Sequence, residues 1–242
     1  MHGSAGREVP AANMVRNLLL QSHPLMMNAS APALLRALAL IALLLLSLLS
    51  APFAAQAHPG HDHPLDEPVD EFAAANFAHG VTHPFTGMDH LVAALAAGCL
   101  AFSLSLAGRT AAGLIAAGTF LAALSLGYFL GRAGVAMPLR EAGLALSVVA
   151  LGAMLLYQHP ADPRVALGLM AGVAFWHGNA HGVEGPGLVF GAGLLAGTAL
   201  VVALGAGAGW MITRWTAPVA IRFAGATVAV AGLVLCGALI LG

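Results

Sequence analysis

The sequence predicts an all-α, polytopic membrane protein with six transmembrane helices after an N-terminal signal peptide. Hydrophobic residues occupy 60% of the 242 positions and charged residues only 8%, which is typical of chains with many membrane spans. The apolar runs lack the ten-residue alternation of a membrane barrel, and a lipid-exposed backbone must satisfy its hydrogen bonds internally. Helices are therefore the predicted spanning elements, and the 30 glycines suit their close packing.

The first segment has the features of an export signal. An arginine precedes the apolar run Leu38–Leu49, and Ala55–Ala57 has the small-x-small form of a cleavage site. We assign residues 1–57 to a signal peptide whose translation starts at Met26 or Met27, because the stretch before them is long and polar for a signal. The alternative is an uncleaved anchor helix, although the apolar run is shorter than a membrane span.

Residues 58–71, HPGHDHPLDEPVDE, are predicted to form an exported tail rich in histidine and acids. Proline and charge at this density form no core, so the segment is expected to be flexible. Its His58, His61 and His63 can collect divalent cations near the membrane. A tail that is merely solvated and compatible with export explains the composition equally well.

The remaining chain, residues 72–242, is predicted to form a six-helix transmembrane domain. Six apolar stretches have roughly the 20 residues that a membrane crossing needs, and Gly, Pro and Arg mark the breaks between them. The predicted spans are 85–107, 110–130, 138–157, 164–184, 187–212 and 218–241.

The distribution of arginines predicts how these spans are oriented. With the tail outside the cell, four arginines fall on the cytoplasmic side and two fall outside, in agreement with the excess of positive charge in cytoplasmic loops. We therefore expect a multi-pass protein of the inner (plasma) membrane with the N-terminus of its mature chain outside. The cytoplasmic set is Arg109, Arg164, Arg214 and Arg222, and the outer set is Arg132 and Arg140.

Two local patterns predict how the helices are shaped and packed. Pro84 and Gly87 indicate a bend, because a single helix from Phe72 to Ala107 would be about 54 Å long and exceed one crossing. Small residues four apart predict close helix contacts. These pairs are Gly127/Gly131, Gly168/Gly172, Gly193/Gly197 and Gly205/Gly209.

Two stretches place metal-binding side chains beside or within these spans. In the first, His79, His83 and His90 have spacings of four and seven residues, which align them on one helical face, and Asp89 precedes the last. In the fourth span, His177, His181 and Glu184 share one stripe at i, i+4 and i+7. Polar groups at this depth are costly without partners. Because both stretches reach the same outer end of the membrane, they are predicted to form one site.

Imidazole and carboxylate ligands without thiolate favour Ni(II), Co(II) or Zn(II), and the absence of a methionine stripe disfavours Cu(I). Asn179 is expected to orient a ring nitrogen of the ligands, and His79 is expected to lie on the access route.

Cys99 and Cys236 are interpreted as packing residues. The near-neutral chain has no basic patch for nucleic acid and no nucleotide-binding P-loop. The expected partners are a divalent metal ion and the lipid bilayer.

At these residues the sequence resembles the HupE/UreJ family, membrane proteins associated with nickel supply to hydrogenases and ureases. HPFTGMDH at 83–90 matches the family motif HPxxGxDH, and HGNAHGVE at 177–184 matches HGxAHGxE, with Trp176 where the family often has Phe. The resemblance implies a nickel permease that also accepts cobalt, that is not an enzyme, and that serves hydrogenase or urease maturation proteins. The metal is then cargo, not a permanent cofactor. The residues carried over as metal-handling are His83, Asp89, His90, His177, His181 and Glu184.

Two other functions remain open from the sequence. An intramembrane zinc-dependent hydrolase would use the histidines to hold zinc and Glu184 or Asp89 to activate water, although the sequence contains no HExxH motif. A metal-binding accessory or sensor protein would bind the ion without moving it. Metal flux through the isolated protein separates transport from both alternatives.

Overall fold

The computed structural model describes residues 69–106, 110–157, 163–216 and 219–241. These residues form seven α-helices and no strand. The predicted signal peptide and the tail histidines His58, His61 and His63 lie outside the described residues, so they stay predictions. The helices are α1 Val69–Thr86, α2 Met88–Leu106, α3 Thr110–Arg132, α4 Arg140–Tyr157, α5 Pro163–Glu184, α6 Leu188–Trp215 and α7 Val219–Leu241.

The all-helical membrane fold is confirmed, and five of the described helices are long and apolar enough to cross a bilayer: α2, α3, α4, α6 and α7. The chain is therefore a multi-pass membrane protein. Helix α5, which corresponds to the predicted fourth span, is long enough but less apolar than these five. The reason is local, because its last eight residues include His177, Asn179, His181 and Glu184.

The chain is interrupted at Gly87, inside the region where the sequence predicts a bend. Both α1 and α2 pack along α6: Gly80 meets the backbone at Gly193, and Gly98 meets it at Gly205. An unbroken helix would rise about 27 Å over the eighteen residues from Gly80 to Gly98. Helix α6 rises only about 18 Å over the twelve residues from Gly193 to Gly205. The break at Gly87 absorbs this difference in length. The structure therefore has a separate helix α1 before α2, where the sequence predicts a bend and a span that begins at residue 85.

Helices α3 and α5 pack through glycines on both sides. A Cβ added at Gly127 or Gly178 would overlap backbone atoms of the other helix, and the same holds for Gly131 and Gly182. Contacts advance in the same direction along both helices, so α3 and α5 run parallel. Because no side chain lies between the two backbones, the helices are held together by dispersion forces. These forces matter in lipid, where there is no hydrophobic drive for helices to associate.

The remaining close pairs complete a bundle of alternating direction. Gly98 and Gly205 bring α2 and α6 together in parallel, whereas α4 and α7 are antiparallel, because Gly152 lies beside Gly225 while Val149 lies beside Gly232. This pattern of parallel and antiparallel pairs agrees with a chain that crosses the membrane in alternating directions. The buried core lies where α2, α3, α4 and α5 meet and includes Ala97, Leu100, Phe120, Leu124, Val148, Leu151 and Met170.

One predicted contact pair is wrong. A Cβ added at Gly168 or Gly172 would meet nothing within 4 Å, so these glycines form no helix contact among the described residues. Gly178 follows Gly172 by about one and two-thirds helical turns, which turns the two glycines to different faces. The small-x-x-x-small spacing indicates only that a helix can be approached closely, and the neighbouring helices determine which face is used.

Candidate metal centre

The two polar stretches meet, as the sequence predicts, near the ends of α1 and α5 and the beginning of α2. His90, His177 and His181 each offer one ring nitrogen, and these three atoms lie within 4.8 Å of one another. His90 and His177 are only 2% and 1% exposed. Residues about ninety positions apart therefore form one compact nitrogen cluster inside the bundle.

The distances in this cluster suit a transition metal. His181 Nε2 lies 2.7 Å from His90 Nδ1, and His177 Nδ1 lies 3.4 Å from the same His90 atom. With metal–nitrogen bonds of about 2.0–2.1 Å, adjacent ligand nitrogens are about 2.9–3.4 Å apart in octahedral or tetrahedral coordination. Small ring movements would let the three nitrogens hold one ion, and imidazole suits nickel, cobalt and zinc alike.

Two further histidines extend the cluster toward the surface. His83 Nε2 lies 3.2 Å from His181 Nδ1, and the His83 ring is 6.0 Å from that of His79, centroid to centroid. His79 is exposed, His83 and His181 are half-buried, and His90 and His177 are buried. The five imidazoles thus form a row that runs from solvent into the protein core.

Two buried hydroxyls from outside both histidine motifs contact the inner histidines. Ser147 Oγ on α4 lies 2.7 Å from His177 Nε2, and Thr198 Oγ1 on α6 lies 3.3 Å from His90 Nε2. Ser147 and Thr198 are 6% and 0% exposed. Isolated hydroxyls in apolar helices are common, so the sequence carried no signal that these two face the site.

The two predicted carboxylates lie toward the exposed end of the site. Glu184 is exposed and forms an ion pair with Arg140 at 2.9 Å. Asp89 is half-buried and lies near His177. Among the described residues the three-nitrogen cluster contains no carboxylate. The structure therefore brings the histidines together and leaves both acids at its margin.

Asn179 has contacts different from those the sequence predicts. Its side chain accepts a hydrogen bond from Met137 N at 2.9 Å and donates to Val135 O at 2.7 Å and to Gly127 O at 3.5 Å. Within the described residues no hydrogen bond joins it to a histidine ring. Asn179 is fully buried and ties the loop between α3 and α4 to α5, so its contacts give it a structural role and not a ligand-orienting one.

We expect Asn179→Ala to destabilise the protein by about 1–3 kcal/mol, because the loop loses its buried hydrogen-bond partners. Thermal unfolding in detergent measures this loss. Cobalt affinity of the folded variant, followed by visible absorption, is expected to match that of the parent. A variant of normal stability with weakened cobalt binding would instead show that Asn179 orients a ligand.

Two comparisons with known proteins match most of the chain. The family model described as "HupE / UreJ protein" matches residues 44–235. "Protein HupE" of Rhizobium leguminosarum bv. viciae is 33% identical over 160 residues, which cover 64% of this chain and 82% of that protein. No solved structure matches the chain. Because the family model spans both histidine motifs and every described helix except the end of the last, the chain belongs to the HupE/UreJ family.

Proposed function

We propose that this protein is a nickel permease, able to carry cobalt, which moves the divalent ion across the inner membrane to supply metalloenzyme maturation. The family consists of transport and accessory proteins. The proposed site contains His83, His90, His177 and His181, with Asp89 and Glu184 at its outer margin. The ion is cargo, and hydrogenase or urease maturation proteins are its proposed recipients.

The observation that carries this proposal is the row of imidazoles from exposed His79 to buried His177. A site that only stores a metal needs one closed set of ligands, whereas conduction needs several adjacent sites that bind and release the ion. From His83 to His177, neighbouring ring nitrogens lie 2.7–3.4 Å apart, close enough for an ion to change partners. His83 is well placed to pass the ion from the surface to His181, which contacts both His83 and His90.

We propose that α5 is the sixth transmembrane helix. It has 22 residues, enough to span the bilayer, and its residues 175–183 pack against the apolar helix α3 through close backbone contacts. Its polar side chains His177 and Asn179 are buried within the protein. A helix that directs its polar groups inward can remain in lipid despite its lower hydropathy.

The bundle supports the proposed orientation with the mature N-terminus outside. By the helix directions, Arg164, Arg214 and Arg222 lie at one end of the bundle, and Arg132 and Arg140 lie at the other. The exposed Trp210 and Trp215 accompany Arg214, as expected at a membrane interface. We place the end with three arginines in the cytoplasm, which puts the histidine row at the outer face.

The contacts favour transport over zinc-dependent hydrolysis. A hydrolase needs a carboxylate positioned to activate a metal-bound water. Glu184 is instead engaged by the Arg140 guanidinium, and the described ligand cluster consists of imidazoles alone. The cluster itself supplies imidazole ligands for an ion, and of the two predicted carboxylates only Asp89, which lies near His177, remains as a base for hydrolysis.

Purified protein in liposomes tests the proposal directly. We expect nickel to enter the vesicles, with cobalt and then zinc competing less effectively, and we expect Asp89→Ala and Glu184→Ala to slow uptake at low nickel. Arg222→Gln, which changes a charge at the far end of the bundle, is the matched control. Tight nickel binding without flux would assign the protein to the accessory or sensor class, and turnover of a peptide or lipid would assign it to the hydrolases.

A further inference from the structure

We infer that Ser147 is a positioning residue: its hydroxyl fixes the tautomer of His177, so that this histidine receives metal through Nδ1. The inference rests on the proposed metal site but concerns a residue outside both histidine motifs. It follows from the number of protons available to the serine hydroxyl and from the positions of its two partners.

The hydroxyl of Ser147 has a single proton and two neighbours. Ser147 Oγ is 2.6 Å from the carbonyl oxygen of Leu144, which can only accept a hydrogen bond. The serine proton is therefore donated to Leu144 within the same helix. Toward His177 Nε2, which lies 2.7 Å away, the hydroxyl can then only accept.

His177 must accordingly carry its proton on Nε2. A bare Nε2 would place its lone pair against a lone pair of the serine oxygen at hydrogen-bond distance, inside a buried apolar region where such a mismatch is costly. With Nε2 protonated, the lone pair of a neutral His177 resides on Nδ1. That atom faces His90 Nδ1 at 3.4 Å, so the lone pair that can bind a metal is directed into the cluster.

The contact serves the histidine and not the serine. Ser147 already satisfies its proton on Leu144, so it needs no further partner, whereas the Nε2–H of fully buried His177 has no other acceptor described. The ring would otherwise be free to adopt either tautomer. Hydrogen-bond partners of this kind orient metal-binding histidines, and their loss typically lowers metal affinity about 10–100-fold.

His90 shows the same arrangement with a less restrictive partner. Its Nε2 contacts Thr198 Oγ1, and its Nδ1 faces His181 and His177. Thr198 makes no other described hydrogen bond, so its hydroxyl can donate or accept. Thr198 therefore permits both tautomers of His90, and Ser147 permits one tautomer of His177.

The tautomer is measured first in the metal-free protein by nitrogen NMR of labelled histidines. We expect His177 to show a protonated Nε2 and an unprotonated Nδ1 in the parent. In Ser147→Ala the two tautomers are expected to mix, and Ser147→Thr, which retains a hydroxyl, is expected to restore the parental spectrum. Ser125→Ala is the matched control, because Ser125 Oγ likewise donates to a carbonyl of its own helix, that of Leu121, and has no hydrogen bond to a histidine among the described residues.

Zinc, which is diamagnetic, then shows which nitrogen binds. We expect its addition to shift the His177 Nδ1 signal while Nε2 keeps its proton, and we expect zinc affinity to fall about tenfold or more in Ser147→Ala but not in Ser125→Ala. A parental His177 protonated on Nδ1, or an unchanged tautomer in Ser147→Ala, overturns the inference even if metal binds. The predicted tautomer in a protein that binds no metal would instead reject the proposed metal site.

Discussion

His90→Ala is expected to reduce nickel uptake to the level of cells that lack the protein. His90 Nδ1 is the atom that both other cluster members approach, at 2.7 Å from His181 Nε2 and 3.4 Å from His177 Nδ1. Its removal leaves two imidazoles in a buried space with no central ligand. Because the partners that merely orient a ligand are worth about 10–100-fold in affinity, loss of this ligand should exceed that range.

The measurement is accumulation of nickel at low external concentration, together with the amount of protein in the membrane. His159→Ala is the control, since neither motif contains His159, and it is expected to transport normally. The same loss should be seen as weakened cobalt binding by the purified variant. Normal uptake by His90→Ala at normal protein level would reject the cluster as the transport site.

Gly178→Ala is expected to destabilise the bundle strongly. A Cβ at this position would overlap the carbonyl of Leu124 on α3, and backbone atoms cannot move aside as a flexible side chain can. Overpacking of a core typically costs about 1–3 kcal/mol and sometimes more. Separation of α3 from α5 would also displace His177 and His181, so transport should fall with stability.

Gly172→Ala on the same helix provides the comparison, because a Cβ there meets nothing within 4 Å. Alanine is a better helix former than glycine, so this variant is expected to be at least as stable as the parent. Yield of folded protein and thermal unfolding in detergent measure both effects. Equal stability of the two variants would show that α3 and α5 are not in backbone contact.

The predicted helices agree closely with the described ones because long apolar runs, punctuated by Gly, Pro and Arg, leave few alternatives in lipid. The predicted 85–107 span includes the end of α1, because Pro84 and Gly87 indicate a bend but do not show where one helix ends and the next begins. The sequence predicts a bend between Pro84 and Gly87, and only the packing of α1 and α2 along α6 shows that it is a break between two helices. Likewise, glycine spacing could not distinguish the buried Gly178 face from the open Gly172 face, because that depends on the neighbouring helices.

For the site, the sequence by itself determined that two histidine stretches are paired, because the cost of polar groups in lipid requires them to find partners, and it predicts imidazole ligands for a metal. Only the tertiary structure decided which atoms meet. It places His90, His177 and His181 together, leaves Glu184 with Arg140, and adds Ser147 and Thr198 from α4 and α6. These contacts arise from helices distant in the chain, and periodicity within one helix contains no information about the rotation of another.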